Sequence, residues 1–474
     1  MMNSRSFISL IALFVLLSLI LVSCQAVTPA PSMATATVES TPLPTRTPRP
    51  QFSATPLPTP TPLPHLALDI AELRGVQVDF WHPWRGDLAM RAEEAAKQFN
   101  KENSWGIVVR VRSLNSAPAL YEAVELLTAE SSLNDTPDVI AAAPEELAAW
   151  MSDGRLMNLD DYLSHPEWGL AADEISAFNA VFWQQDQWNG PAGSLQAGIP
   201  AVRSARVLFY NETWAKELGF QQPPASPDEF REQACAATQA NNALPDRSKH
   251  FTGGWLLDTE ALVMLSWLDA FGAQVLPVAD GAPYTFQSDA ADEATSYLRK
   301  LFDDGCAWEG RSPTPHEYFT KRMALMYSGT LQDLAVQAAA QQRLNSGDRW
   351  TVIPYPVVTG SGAVYSYGYS YGLLASAPKQ QLAGWLFMRW MAKPRNQALL
   401  AEVWPSIPVS SAAERELGDY KNNFPWSMIF PLQSSIKPAP SLPSWRMVRL
   451  ILEDAALWQL FRLPVDQLQY FLPE

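Results

Sequence analysis

Between residues 76 and 154 the chain alternates between two hydrophobic periods, and this alternation restricts its fold more than any other feature. "VQVDFWHPW" (76–84) has the period-two, β-branched and aromatic pattern of a strand, and "LAMRAEEAAKQFNKEN" after it repeats apolar residues at helical spacing. "GIVVRVRSL" (106–114) reads as a second strand, "ALYEAVELLTAE" as a second helix and "TPDVIAAA" (136–143) as a short buried strand. "PEELAAWMSDG" opens on proline and acids and closes on Gly154, which marks a third helix. Strand, helix, strand, helix, strand calls for a parallel sheet covered by helices, and so for an α/β fold. Such sheets hold ligands beyond the carboxyl ends of their strands. The first strand ends in Trp81, His82 and Trp84, which either face a cleft there or plug the sheet end with apolar surface.

The amino terminus is of another kind. The apolar run from Phe7 to Val22 follows Arg5 and is shorter than the roughly 20 residues of a spanning helix, so it reads as a secretory leader. Leu21-Val22-Ser23-Cys24 resembles the bacterial lipobox, in which the leader is cut before a cysteine whose thiol carries diacylglycerol. Residues 1–23 are therefore expected to be removed and Cys24 lipidated, each buried acyl methylene contributing ~0.8 kcal/mol of membrane attachment. Residues 24–65 alternate Pro with Thr, Leu and Ser ("TPLPTRTPRPQFSATPLPTPTPLPH") and hold too little apolar surface for a core. Proline favours the extended polyproline conformation, so this segment is expected to be a disordered stalk between lipid and folded domain.

The remaining length is enough for two domains or two lobes. A formal net charge of -15 argues against nucleic acid or an anionic membrane surface as the main partner. The five histidines are scattered without metal-ligand spacing, so neither a metal nor a cofactor is expected. No HExxH or P-loop occurs. Asp160-Asp161 reads as a helix start and Glu93-Glu94 as a solvated helix face, which leaves a surface glycoside hydrolase as a rival without a distinguished carboxylate pair. Eighteen tryptophans supply core, and also the flat apolar faces on which sugar rings stack. Cys235 and Cys306 each fall in or at the end of a helical pattern; an exported domain allows them a disulfide, and two buried thiols are the alternative.

Seven stretches stand in order over about residues 75–412: "VDFWHPWRGDLAMRAEEAAKQFNKEN", "TPDVIAAAPEELAAWMSDGRLMNLDDYL", "GIPAVRSARVLFYNETWAKELGFQQPPASPDEF", "MALMYSGTLQDLA", "WTVIPYPV", "YGLLASAPKQQLAGWLFMRWMA" and "WPSIPVSSAA". Together they resemble the extracellular solute-binding family that feeds bacterial ABC importers, in its sugar and glycerol-phosphate branch. The resemblance implies a two-lobe, periplasmic-binding-protein-like (Venus flytrap) fold with crossing hinge strands. Lobe one would take 66–202 plus 359–405, and lobe two 203–358 plus 406–474. "GIPAVRSARVLFYN" would be the first crossing, "WTVIPYPVV" the return and "VWPSIPVSS" the third.

The implied function is capture of a sugar or oligosaccharide between the lobes, without catalysis, and delivery to ABC permease subunits from an extracytoplasmic, lipid-anchored position. A polyol phosphate is the competing ligand, with Arg85 and Arg203 as candidate cations. A sensor or adhesion role on the same scaffold is a further alternative. Trp81 and His82 would face the ligand from lobe one. "SGTLQD" matches the family's glycine-containing ligand segment and nominates Ser328, Gly329, Thr330 and Gln332. Trp255, after two glycines at a strand end of lobe two, would be a platform or core. Tyr367 and Tyr369 belong to an alternating tyrosine run that either packs or borders the cleft, and Trp404 precedes the third crossing.

Overall fold

The computed structural model describes residues 66, 68–127, 136–190, 193–277, 282, 284–310, 314–360 and 362–462; the leader, Cys24 and the whole Thr/Pro stretch lie outside the described residues. Twelve strands are present among them: β1 (Gln77–His82), β2 (Val108–Ser113), β3 (Val139–Ala142), β4 (Gln187–Gly190), β5 (Gly193–Gln196), β6 (Ile199–Asn211), β7 (Gly253–Leu256), β8 (Ala307–Trp308), β9 (Ala324–Thr330), β10 (Trp350–Ile353), β11 (Val364–Leu373) and β12 (Ile436–Pro438). β4 and β5 form a separate hairpin. The others run in the order β2-β1-β3-β11-β6-β9-β7-β8, with β10 beside β6 and β12 beside β11.

β1 pairs in parallel with β2 and β3, as the alternating sequence pattern requires. The helices between them start where the sequence supplies caps. Ser116 Oγ accepts from the Ala119 amide at 3.2 Å ahead of the Ala117–Glu125 helix, and Pro144 occupies the first turn of the Pro144–Ser152 helix. One face of this half-sheet packs Val78 and Phe80 against Phe99, Trp385 and Phe387. The other packs Trp81 and Ile140 against Leu120, Leu147 and Trp150. A second parallel set, β7 with β8 and β9, carries its own core of Phe230, Trp255, Trp267, Leu298 and Met326. There Cys235 and Cys306 are joined as a disulfide with their Cα atoms 4.5 Å apart.

Two long strands join the halves. β6 pairs with β11 from Ile199 to Ala205 and then changes partner, pairing with β9 from Arg206 to Tyr210. β11 lies antiparallel to β6 over Ser366–Tyr371, with β12 beside its start (Val364–Ser366) and β3 beside its end (Ser370–Leu373). The return crossing expected at 350–358 is displaced: β10 stays antiparallel to the end of β6, and β11 carries the chain back. Close approach at this crossing needs a glycine, since a Cβ on Gly368 would lie 2.1 Å from the Val202 carbonyl oxygen.

A fully buried ion pair fastens the crossing. Arg203, on β6, donates to Asp186 Oδ1 (2.9 Å), Ser370 Oγ (2.8 Å), Gln185 Oε1 (3.1 Å) and the carbonyl of Tyr369 (2.7 Å). Ser370 Oγ in turn donates to Asp186 Oδ1 at 2.7 Å. Burial pushes the Asp186 carboxyl up, and the attraction of Arg203 pulls it back. Nearby, Ser204 Oγ donates to Gln332 Oε1 (2.7 Å), and Gln332 Nε2 to the Pro405 carbonyl (2.7 Å), which ties three distant segments together.

Candidate functional site

A cavity of about 270 Å³ lies where the two half-sheets face each other. Glu145 and Glu146, in the first turn of the helix after β3, form one wall, and Glu260, Ala261 and Leu262 at the start of the Ala261–Ala270 helix form the opposite one. Tyr367, Gly368, Tyr369 and Arg206 on the crossing strands make the floor with Gln185. Trp445 and Arg449, from the Trp445–Asp454 helix, complete the enclosure. Aromatic faces therefore stand beside carboxylate, amide and guanidinium groups, the mixture expected of a small-molecule site.

The charges are largely balanced within the protein. Arg206 Nε lies 3.1 Å from Glu260 and its Nη1 3.4 Å from Asp258. Glu146 accepts the Ala143 amide at 3.1 Å, and burial, with Glu145 alongside, pushes its carboxyl up to about 8. Burial also raises Glu145. Arg449 Nε is buried without a hydrogen-bond partner. Arg206 is shared with a second cavity of about 420 Å³ on the β7–β9 side, lined by Asp258, Glu309, His316, Ser328 and Asp333 among others.

The residues nominated from sequence divide between these cavities and the core. Tyr367 and Tyr369 line the smaller cavity, and Ser328, whose Oγ accepts from the Tyr355 hydroxyl at 2.8 Å, lines the larger one. Trp81 is buried against Leu120 and Leu147 with the Arg112 guanidinium 4.6 Å from its ring centroid. His82 is fully buried and stacked on Trp84 at 4.9 Å, so "WHPW" packs the sheet end. Trp255 is fully buried, edge-on to Phe230 and Trp267. Gly329 answers to packing: a Cβ there would come within 2.8 Å of the Phe209 ring. Thr330 donates through its amide (2.7 Å) and hydroxyl (2.8 Å) to Asp333, Gln332 is engaged in the crossing contacts above, and Trp404 is half-buried at the edge of the first core. Of the two candidate phosphate cations, Arg203 is buried in its pair with Asp186, and Arg85 is exposed at a helix start.

Glu145, Gln185, Arg206, Glu260, Trp445 and Arg449 were missed. Glu145 was within reach, because it follows a parallel strand at its carboxyl end, where ligands gather. Trp445 and Arg449 arrive from a helix three hundred residues further along, and no local signal announces them.

Burial of His82 has a measurable consequence. Its Nδ1 accepts the Trp84 amide at 3.2 Å, Nε2 has no partner, and burial draws its pKa down to about 4. Because the folded value lies below the unfolded one, the stability tied to the neutral ring is complete above about pH 6.5 and is lost as pH falls toward 4. Relative to a His82→Phe variant, the wild type should lose up to about 3 kcal/mol across that window in urea titrations. Parallel pH profiles of the two proteins would refute the account.

The sequence pattern of the bacterial extracellular solute-binding protein family matches residues 94–424, most of the chain. The chain belongs to this family. It is a solute-binding protein, and the family is an extracytoplasmic one. Solved structures share the fold. The sugar-binding protein MalE of Xanthomonas citri superposes with a TM-score of 0.65 at 19% identity, covering 80% of this chain and 92% of that one. UgpB of Mycobacterium tuberculosis, in complex with glycerophosphocholine, gives 0.64 at 16% identity, with 83% and 95% covered. An ABC substrate-binding protein of Listeria monocytogenes, in complex with cycloalternan, gives 0.62 at 15%, with 80% and 93% covered. The fold is thus the two-lobed α/β fold of binding proteins, with β6 and β11 as the strands between lobes.

Proposed function

We propose that the chain is the substrate-binding component of a bacterial ABC importer, moored by lipid on Cys24, and that it captures a neutral saccharide between its lobes for delivery to the permease. The lobes correspond to about 66–202 with 359–405 and 203–358 with 406–474. The cavity carries the reading: Tyr367, Tyr369 and Trp445 offer faces for sugar C–H patches, while Glu145, Gln185 and Arg449 can receive and donate hydrogen bonds to hydroxyls. No bond need be made or broken. Contacts to both lobes favour the closed arrangement, and closure is the signal passed on. Two cavities meeting at Arg206 favour a ligand longer than one ring.

A polyol phosphate is the second reading, supported by the unpaired Nε of Arg449 and by the neighbour solved with glycerophosphocholine. Three carboxylates lining the cavity, two on one wall and Glu260 on the other, and the compensation of Arg206 by Glu260 and Asp258, weigh against a dianion. Thermal-shift and calorimetric titration with maltose, maltotriose, cycloalternan and glycerophosphocholine separates the two. A saccharide should raise the melting point, and Trp445→Ala should weaken its binding at least tenfold, as loss of a stacking face does. A shift by glycerophosphocholine alone would replace the saccharide reading with the second. Release of the full chain from the membrane fraction by Cys24→Ser checks the anchor, and unchanged fractionation would remove it.

A further inference from the structure

The Trp445–Asp454 helix belongs by its packing to the second lobe. Trp445 and Leu452 lie in that lobe's core, and Glu453 Oε1 accepts the Ala261 amide at 3.3 Å. Its first turn nevertheless reaches the other lobe. The Arg446 guanidinium stands 3.8 Å from the ring centroid of Tyr121, on the Ala117–Glu125 helix. That ring lies parallel to Trp150 at 5.7 Å, and the Trp150 indole N–H donates to Glu125 at 2.9 Å, which fixes the platform from behind. Ala117, one turn before Tyr121 on the same helix face, lines the 270 Å³ cavity; Trp445 and Arg449, flanking Arg446, line it from the other side. The contact therefore sits at the rim of the cavity and joins the lobes independently of β6 and β11.

We propose that Arg446 and Tyr121 form a clasp across the cleft mouth that biases the lobes toward the closed arrangement before any solute enters. A planar cation on an aromatic face is an attraction between the lobes that depends on no ligand. It exists only while the two helices are in register, so it stabilises the closed arrangement and leaves the open one unaffected. At the strength usual for such pairs it multiplies the closed-to-open ratio by about 2- to 30-fold. A solute that binds the closed arrangement meets a correspondingly larger competent population. The clasp concerns the control of the cavity and not what fills it, so it goes beyond the saccharide reading.

The test measures distances between spin labels at Glu122→Cys and Ser296→Cys, one exposed position on each lobe, by double electron–electron resonance. It uses the full chain carrying Cys24→Ser, without solute. Arg446→Ala and Tyr121→Ala should each move population from the short to the long distance by about 2- to 30-fold. Tyr121→Phe, which keeps the ring, should resemble the parent. If Tyr121→Ala does not fold, because Trp150 loses its neighbour, Arg446→Ala carries the result alone, since its head group lies outside the core. Superimposable distributions for Arg446→Ala and the parent would overturn the clasp, and so would opening by Tyr121→Phe equal to that of Arg446→Ala. Neither result bears on whether maltotriose or glycerophosphocholine binds, so the two proposals fail separately.

Discussion

Asp186→Ala should destabilise the protein by about 3–5 kcal/mol, read as a fall in the urea midpoint at unchanged slope. The expectation comes from what the substitution leaves behind. Arg203 has no exposed surface, and its guanidinium donates to Gln185, Ser370 and the Tyr369 carbonyl as well as to Asp186. Without the carboxylate a full positive charge stays in the interior, and those neutral acceptors cannot compensate it. A half-exposed pair makes the control. Glu217 is paired with Arg322 at the surface, where Asp348 also holds the arginine at 2.7 Å, so Glu217→Ala should change stability by less than about 1 kcal/mol. Equal effects from the two variants would mean that water reaches the crossing.

Removing the disulfide is the second large perturbation. Cys235 and Cys306 are 71 positions apart, and opening a loop of that length returns conformational freedom to the unfolded chain worth about 4 kcal/mol. The double variant Cys235→Ala/Cys306→Ala should therefore melt well below the parent. Alanine is the right replacement because Cys306 is buried among apolar neighbours, where a serine hydroxyl would add its own penalty. A reducing agent should lower the parent toward the double variant and leave the variant unmoved. A loss below about 1 kcal/mol would show that the unfolded chain is already constrained there.

Much of the fold could be read from residue order, and the reasons are local. β1, β2 and β3 and the helices between them each repeat one period over several residues, so their kind and sequence follow from pattern. The return crossing was misplaced because its signal is mixed. Tyr365 and Tyr367 pack toward one core and Tyr369 and Tyr371 toward the other, with a register shift between Tyr369 and Ser370. A strand serving two cores keeps no single burial face for a reader to follow. The site was harder still. The strand-end rule pointed to the edge of the sheet where the cavity lies, but it cannot say which strand end is covered: Arg112 and the aromatic stack close β1, whereas the turn after β3 leaves Glu145 facing the cavity. Arg203 and Arg206 lie three positions apart on one strand, and only packing sends one into the interior and the other to the cavity.

The exchange of neighbours along β6 bears on how such a molecule can flex. β6 is bonded at one end to β11 and at the other to β9, so any swing of the halves must be taken up where it changes partner, at Ala205–Arg206. Arg206, at that change of partner, makes the chamber floor together with Tyr367–Tyr369 of β11. The backbone that must bend is thus backbone that also lines the chamber.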